Sequence, residues 1–168
     1  MATVTLSNGL LSRFYTRLST SGSYDYNLNH YNNTDYYTGR ICLMSGTIPT
    51  DFTDLTTRGS LSDQVLWAYD NTGSFSNNSW ETEQTGSAHT SSIFDMKNYA
   101  AATATGTAEW FWYSVGTSIS SSSAIYFQFI GTVGTSGTDL VLPTTSITSG
   151  KNYRIRGLRL QIAQDYTY

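Results

Sequence analysis

The rest of the chain is organised around the apolar runs of residues 106–163. Three apolar, β-rich runs occur there, at residues 110–113, 125–133 and 153–162, and clusters of Ser, Gly and Thr separate them. Aromatic and β-branched side chains favour a pleated surface, whereas Gly, Ser and Asp favour turns. The pattern therefore predicts three long strands, with a short fourth strand at residues 139–142.

The parity of apolar residues indicates how these strands are covered. In residues 125–133 both alternating faces are apolar, which predicts a central strand or one covered on both sides. Trp110 and Trp112 share one face of their strand and Phe111 and Tyr113 share the other, so at least one of these pairs is expected in the core. In the last strand, one extra residue near Arg156 and Gly157 would bring the apolar side chains to a common face, which predicts a bulge there.

Shorter apolar runs precede this segment, at residues 3–6, 40–44, 65–69, 93–96 and 99–104, whereas residues 51–63 and 70–84 are polar and are predicted as loops. Eight or nine short strands with Ser/Thr/Gly connections predict an all-β fold, an antiparallel two-sheet sandwich of the jelly-roll type with one short N-terminal helix. The length fits a single domain. We assign residues 1–39 to the helix and a Tyr-rich arm, 40–163 to the sandwich and 164–168 to a tail.

An amphipathic helix is predicted at residues 8–18, with Ser7 as its N-cap. Its apolar stripe contains Leu10, Leu11, Phe14 and Leu18, which fall on one helical face. Two interpretations stay open, because the stripe suits either the sheet of its own domain or a neighbouring subunit. Under the second interpretation, Leu10, Phe14 and Leu18 are candidate partner contacts.

The segment 19–39 is polar and rich in Tyr. Tyr offers a large contact area together with a hydroxyl at a small cost in rotamer entropy, which is typical of contact surfaces. A long loop folded over its own domain is an equal alternative. The candidate contacts here are Tyr24, Tyr26, Tyr31, Tyr36 and Tyr37.

Three further residues complete the predicted contact set. Trp80 is the one large side chain of the polar segment 70–84 that we expect to be exposed. Arg154 and Arg156 alternate along the last strand, and Arg159 joins their face if the bulge forms. Solvated charge is one interpretation of these cations, and salt bridges to an acidic neighbour are the other, since Arg suits interfaces better than Lys.

Composition and charge exclude several function classes. The net charge is −3 and charged residues make up 12 % of the chain, so no basic footprint for nucleic acid is expected. No apolar run approaches the length of a membrane span, and the N-terminus lacks the features of a signal peptide. The single cysteine, Cys42, lies in an apolar run and is expected to be a small core residue.

Catalytic and metal-binding patterns are absent from the sequence. His30 and His89 lack partners at metal-ligand spacing, and no P-loop, nucleophile elbow or dinucleotide fingerprint occurs. Glu81 and Glu83 stand two positions apart in a predicted loop, so we expect two solvated carboxylates and not a catalytic acid and base. We therefore expect no enzymatic activity, no cofactor and no metal.

Several turn motifs resemble those of small virion structural proteins of tailed bacteriophages. The motifs are Gly106-Thr107-Ala108, then the run IGTVGTSGTDLVL at residues 130–142, then Thr145-Ser146-Ile147 with Ser149-Gly150. An earlier Ser45-Gly46-Thr47-Ile48-Pro49 follows a strand in the same family pattern. The resemblance covers about residues 10–18, 40–66 and 106–163. It implies a virion β-sandwich and carries over no catalytic residue.

The resemblance leads to a function hypothesis with two alternatives. The first is a capsid decoration (cement) protein that bridges capsomers, binds the major capsid protein or other virion proteins and forms a homo-oligomer, expected to be a trimer. Its location would be the virion, assembled in the host cytoplasm. The alternatives are a neck, tail or baseplate component, or a carbohydrate-binding module that uses exposed tryptophans, for which the candidates are Trp67, Trp80, Trp110 and Trp112.

Overall fold

A computed structural model describes residues 38–71, 80–85, 88–94, 96, 98–116, 120–123 and 125–160. Within these residues the chain is almost entirely β, and its helical content is one 3-10 turn at Ser62–Gln64. The described strands are β1 Thr38–Met44, β2 Val65–Asn71, β3 Trp80–Thr85, β4 Ala88–Phe94, β5 Ala100–Ala101, β6 Gly106–Thr107, β7 Trp110–Gly116, β8 Ile125–Gly134, β9 Leu140–Val141, β10 Ser146–Ile147, β11 Asn152–Tyr153 and β12 Leu158–Leu160. The all-β prediction is confirmed for this part of the chain.

The largest sheet has five strands in the order β2-β1-β7-β8-β9 and curls into a half-barrel. β1 pairs antiparallel with β2 and β7, and β7 pairs antiparallel with β8. The short β9 pairs parallel with β8, so the sheet is mixed and not purely antiparallel as predicted. The strand predicted at residues 139–142 is therefore present, but its direction differs.

Both faces of this sheet are buried. Because neighbouring side chains alternate, Trp110 and Trp112 lie on one face, and Phe111 and Tyr113 lie on the other. All four are buried, so both aromatic pairs belong to the core. This burial accounts for the apolar runs at residues 41–44 of β1 and 110–113 of β7, since a strand segment covered on both sides has no solvent face that needs polar residues.

One face is covered by short strand pairs. β5 pairs with β11 and β6 pairs with β10, and their apolar side chains join the core cluster of this face. We call residues 96, 98–108 and 142–158 the ladder cover. Its buried side chains include Met96, Ala102, Ala108, Ile147, Ile155 and Leu158, and they join Leu140 of β9 in one cluster.

The opposite face is covered by an irregular loop, residues 45–64, which we call the loop cover. Its Leu55 is buried against Cys42, Met44, Trp110 and Trp112. Backbone hydrogen bonds fix the loop at both sides: Ser45 N–H donates to the Gln64 carbonyl over 2.9 Å, and Gly59 N–H donates to the Ser121 carbonyl over 2.8 Å. The prediction of a loop at residues 51–63 is consistent with this arrangement.

A separate three-stranded antiparallel sheet has the order β12-β4-β3. Trp80 begins β3, so it does not lie in a polar loop as predicted. Polar alternation over residues 80–85 did not indicate a strand, because the sequence signal relied on apolar side chains.

The long last strand predicted at residues 153–162 is broken in two. Tyr153 ends β11, which pairs with β5, and Leu158 begins β12, which pairs with β4. Gly157 between them has φ +69°, a left-handed conformation that favours glycine. The irregularity predicted near Gly157 is present, but it is an interruption of the strand between two sheets and not a bulge. Thr38 and Gly39, which were assigned to the arm, begin β1, so this strand starts two residues earlier than predicted. The predicted strand at 3–6, the helix at 8–18, residues 19–37 of the arm and the tail at 164–168 lie outside the described residues.

Candidate partner-contact surface

Arg154 and Tyr99 form an exposed cation–π pair on the ladder cover. The β5–β11 register places Ala100 opposite Tyr153, so Tyr99 and Arg154 follow as the next facing pair. The guanidinium carbon lies 4.7 Å from the centre of the Tyr99 ring. Tyr99 is 62 % exposed, so much of this residue stays accessible to solvent beside Arg154.

The same edge carries further positive charge. Lys151 and Arg156 are exposed and Arg154 is half-buried, whereas Ile155 between the two arginines is buried in the core. Residues 151–159 contain four of the nine Lys and Arg residues and no Asp or Glu. We call Tyr99, Lys151, Arg154 and Arg156 the basic patch.

Buried contacts hold this patch in place. Met96 N–H donates to the Ile155 carbonyl over 3.1 Å, and Ile155 N–H donates to the Met96 sulfur over 3.3 Å. Both side chains are buried. These contacts hold the backbone at Ile155 in the core, with the half-buried Arg154 and the exposed Arg156 on either side of it.

A second charged site lies beneath the loop cover, and the sequence did not predict it. The Arg40 guanidinium donates two hydrogen bonds to the Asp70 carboxylate, over 2.8 and 3.0 Å. The Arg58 guanidinium, which is fully buried, lies 3.7 Å from the same carboxylate and donates to the Ser114 carbonyl over 3.4 Å. We call Arg40, Arg58 and Asp70 the charge cluster.

The charge cluster alters the acidity of its members. The hydrogen bonds to Asp70 raise the pKa of Arg40 above its usual value. Burial lowers the pKa of Arg58, and the nearby Asp70 carboxylate opposes this effect. Both guanidinium groups stay charged at neutral pH, so the cluster is a permanent ionic clamp between the loop cover and β1 and β2.

Cys42 lies on the same face of the sheet. Its thiol is buried, and burial raises the pKa of Cys42 to about 12. A thiolate is the reactive form of cysteine, so this residue is chemically inert in the folded protein. The prediction of a small core residue is confirmed.

The turn between β8 and β9 is closed by reciprocal hydrogen bonds. The Asp139 carboxylate accepts from Thr132 N–H over 2.8 Å and from the Thr132 hydroxyl over 2.7 Å. Asp139 N–H in turn donates to the Thr132 hydroxyl over 3.2 Å. These bonds lower the pKa of Asp139. The pairing explains why Thr and Asp occur at these two positions of a glycine-rich turn.

The predicted contact residues divide into three groups. Arg154 and Arg156 belong to the ladder cover, and Trp80 is the first residue of β3. The remaining candidates lie outside the described residues: Leu10, Phe14, Leu18, Tyr24, Tyr26, Tyr31, Tyr36 and Tyr37. Tyr99 was not among the predicted contacts, because residues 99–104 were noted only as a short apolar run.

The described residues were compared with the requirements for a metal site and for a membrane-spanning helix. No group of three or more His, Cys, Asp or Glu side chains in that part of the chain could hold a metal ion. No helix of the described residues is long and apolar enough to cross a membrane. Comparison of the chain with protein-family models, with curated proteins and with solved structures finds no match in any of the three.

Proposed function

We propose that this chain is a structural protein of a tailed-bacteriophage virion, and specifically a capsid decoration protein that stabilises the head by bridging capsomers. The proposal starts from the resemblance of the turn motifs. It treats the chain as a binding and assembly protein without enzymatic activity, cofactor or metal. Its partners would be the major capsid protein or other virion proteins, together with further copies of itself.

The observation that carries the proposal is how the motif residues assemble. Gly106 and Thr107 pair with Ile147 and Ser146, so two motif pieces about forty positions apart form one ladder. Ala108 N–H adds a hydrogen bond to the Thr145 carbonyl over 2.8 Å. The assembly of the motifs into one structural unit supports a shared fold, whereas the role is a separate inference from the resemblance.

The third motif joins this unit. The run at residues 130–142 forms the end of β8, the turn closed by Asp139, and β9. Val133 and Leu140 of that run are buried in the same cluster as Ile147. The motifs thus form the ladder cover and the adjoining sheet edge, which is the part of the protein that the resemblance implies to be shared.

For the fold we propose the jelly-roll sandwich that the resemblance implies. The five-stranded sheet would be one layer, and the ladder cover would continue into the second. Support comes from the apolar cluster between them, which includes Ile41, Trp67, Phe111, Ile147 and Ile155. A sheet covered in this way by short strands is a common way to protect both an apolar face and open edges.

The proposed contact elements are the N-terminal stripe, the Tyr-rich arm and the basic patch. A modest polar interface gains strength when it is repeated over a lattice, because each further contact becomes intramolecular. The low charge of the chain and its many Tyr side chains suit such hydrogen-bonded surfaces.

Cosedimentation with phage particles tests the proposal. Purified protein is mixed with empty heads and, separately, with tails, and the bound copies are counted. We expect saturable binding to heads at hundreds of copies, lost when residues 1–18 are deleted or when Tyr36 and Tyr37 are replaced by Ala. Binding to tails alone would assign the protein to the neck, tail or baseplate. Binding to neither would contradict a virion role.

The carbohydrate-binding alternative loses most of its candidate residues. Trp67, Trp110 and Trp112 are completely buried. Their indole N–H groups donate to the Ala100 carbonyl, the Ser45 carbonyl and the Gln128 amide oxygen, respectively. A glycan platform needs exposed rings, so these three tryptophans are structural.

A further inference from the structure

We propose that the basic patch of one molecule docks on the loop cover of a second copy of this chain, so that molecules associate head to tail. The proposal deepens the proposed function by naming the surface of the expected homo-oligomer, and its biological meaning rests on that function. Its physical basis is independent, because it stands on the charges and exposed aromatic side chains of the described residues.

The loop cover is the acidic counterpart of the basic patch. Asp51, Asp54 and Asp63 are all exposed on it, whereas the one cation of residues 50–64, Arg58, is buried. Hydrogen bonds from Thr53 lower the pKa of Asp51, so this carboxylate is ionised at neutral pH. The outer surface of the loop cover therefore presents only negative charge from its ionisable side chains.

Each patch also carries an exposed aromatic ring. Three large hydrophobic residues are exposed in the part of the chain described, namely Phe52 at 43 %, Tyr99 at 62 % and Val141 at 55 %. Phe52 stands between Asp51 and Asp54, and Tyr99 lies under Arg154. Aromatic anchors surrounded by charge are typical of protein interfaces, and here the two patches carry opposite signs.

The two patches cannot meet within one molecule. Leu55 of the loop cover packs against one face of the five-stranded sheet, and Ile155 of the ladder cover packs against the other. The sheet thus separates the acidic and basic surfaces of each molecule. Complementary surfaces on opposite sides lead to a heterologous contact, which closes into a ring when the rotation between copies permits, as in the expected trimer.

A charge-exchange experiment on the full chain tests this inference without any phage particle. The first variant combines Arg154→Glu with Arg156→Glu, and the second combines Asp54→Arg with Asp63→Arg. Asp51 is left unchanged because its carboxylate accepts the hydrogen bonds of the Thr53 turn. Sedimentation velocity over a concentration series measures the association constant of each protein, and circular dichroism verifies folding.

We expect wild-type association to weaken at least about 10-fold when salt rises from about 50 to about 500 mM, because screening shortens the range of exposed charges. Each reversed variant should associate at least about 10-fold more weakly than wild type, since like charges then face each other. A protein with all four exchanges should recover association, because its two patches are again opposite in sign.

The matched control compares two double variants. One combines Arg154→Gln with Arg156→Gln, and the other combines Thr135→Glu with Ser136→Glu. Both pairs change the net charge by the same amount, but Thr135 and Ser136 are exposed in the β8–β9 turn and belong to neither patch. Only the arginine pair should weaken association. A monomer at all concentrations, an unaffected Asp variant or failed recovery of the fourfold exchange would each overturn the inference. Particle binding is measured separately, so failure of the virion role remains distinguishable.

Discussion

The two covers of the five-stranded sheet use different physical means. The ladder cover consists of short strand pairs whose side chains on the sheet are almost all apolar. The loop cover forms no strand but makes a single β-bridge at Thr57, and it buries Arg58 next to Asp70 and Arg40. One cover satisfies its backbone through ladders, and the other combines a few backbone bonds with an ionic clamp.

This difference shows how an irregular segment can cover a sheet. A loop has few internal backbone partners, so its polar groups must find partners in the layer beneath. Gln128 illustrates this: its amide nitrogen donates to the Leu55 carbonyl of the loop over 3.0 Å, and its amide oxygen accepts from Trp112. A polar side chain in a central strand is thus the partner that the loop requires.

The difference between the two covers is tested most strongly at the charge cluster, which connects the loop cover to the sheet. Asp70→Ala removes the carboxylate that both guanidinium groups face, and we expect it to lower the free energy of unfolding by about 3 kcal/mol. Chemical denaturation measures this loss. Labelling of the Cys42 thiol reports any opening that exposes it, by movement of the loop cover or by global unfolding, since Leu55 packs in the same buried cluster. The labelling rate should rise about 100-fold.

Asp63→Ala is the matched control for this experiment. Asp63 is an exposed carboxylate on the same loop cover, so its loss should change stability by less than about 0.5 kcal/mol. If the Asp70 and Asp63 variants label Cys42 at the same rate, the charge cluster does not hold the loop cover.

Packing on the face beneath the ladder cover can be tested at Gly131, where the backbone lies close to a buried ring. A Cβ atom at Gly131 would lie 2.5 Å from Cε1 of Phe111, and this ring is buried and has little room to move. Gly131→Ala should therefore destabilise the protein by about 2 kcal/mol through overpacking. Cys42 labelling should increase only as much as global unfolding does, because the loop cover is untouched.

Gly150→Ala provides the comparison for Gly131→Ala. Gly150 has φ +78° and open space around its Cβ position, so only backbone strain is expected, at about 1 kcal/mol. Equal losses for the two variants would contradict the overpacking argument at Phe111.

The Asp139 turn gives a smaller effect with a defined pH dependence. Its pKa is lowered in the folded state, so the stabilisation is present above the unfolded pKa of about 3.9 and is lost as the pH falls through the folded value. Asp139→Asn should cost about 1 kcal/mol at neutral pH and should flatten the decline in stability below about pH 4. Denaturation curves from about pH 2 to about pH 7 measure both. An unchanged acid profile would exclude the Asp139 turn as a source of this dependence.

Sequence patterns predicted the strands of the central sheet well. The runs at 40–44, 65–69, 110–113 and 125–133 correspond to β1, β2, β7 and β8, because strands buried on both faces need continuous apolar side chains. β3 was missed for the opposite reason. Its residues are polar, and a strand stabilised mainly by backbone pairing leaves little trace in hydropathy.

The charge cluster and the basic patch show a second limit of prediction from the sequence. Asp70 and Arg58 stand in segments that were interpreted as polar loops, and their pairing with Arg40 depends on a register that no local pattern encodes. The sequence pattern of Arg154, Ile155 and Arg156 corresponds to a buried isoleucine between a half-buried and an exposed arginine. The exposure of Tyr99 was not predicted, because an aromatic residue in an apolar run is usually buried.

The smallest expected effect compares two arginines. Arg58 is buried in an ionic cluster, whereas Arg154 covers an exposed ring, where a cation–π contact contributes about 0.5 kcal/mol. Arg154→Gln should therefore change the free energy of unfolding by no more than about 0.5 kcal/mol. A double-mutant cycle with Tyr99→Leu measures the coupling, and Tyr99→Phe, which keeps the ring face, serves as its control. A loss above about 2 kcal/mol would make Arg154 a framework residue. A small loss leaves it available for a partner, because a side chain that contributes little to folding can be desolvated at an interface without weakening the fold.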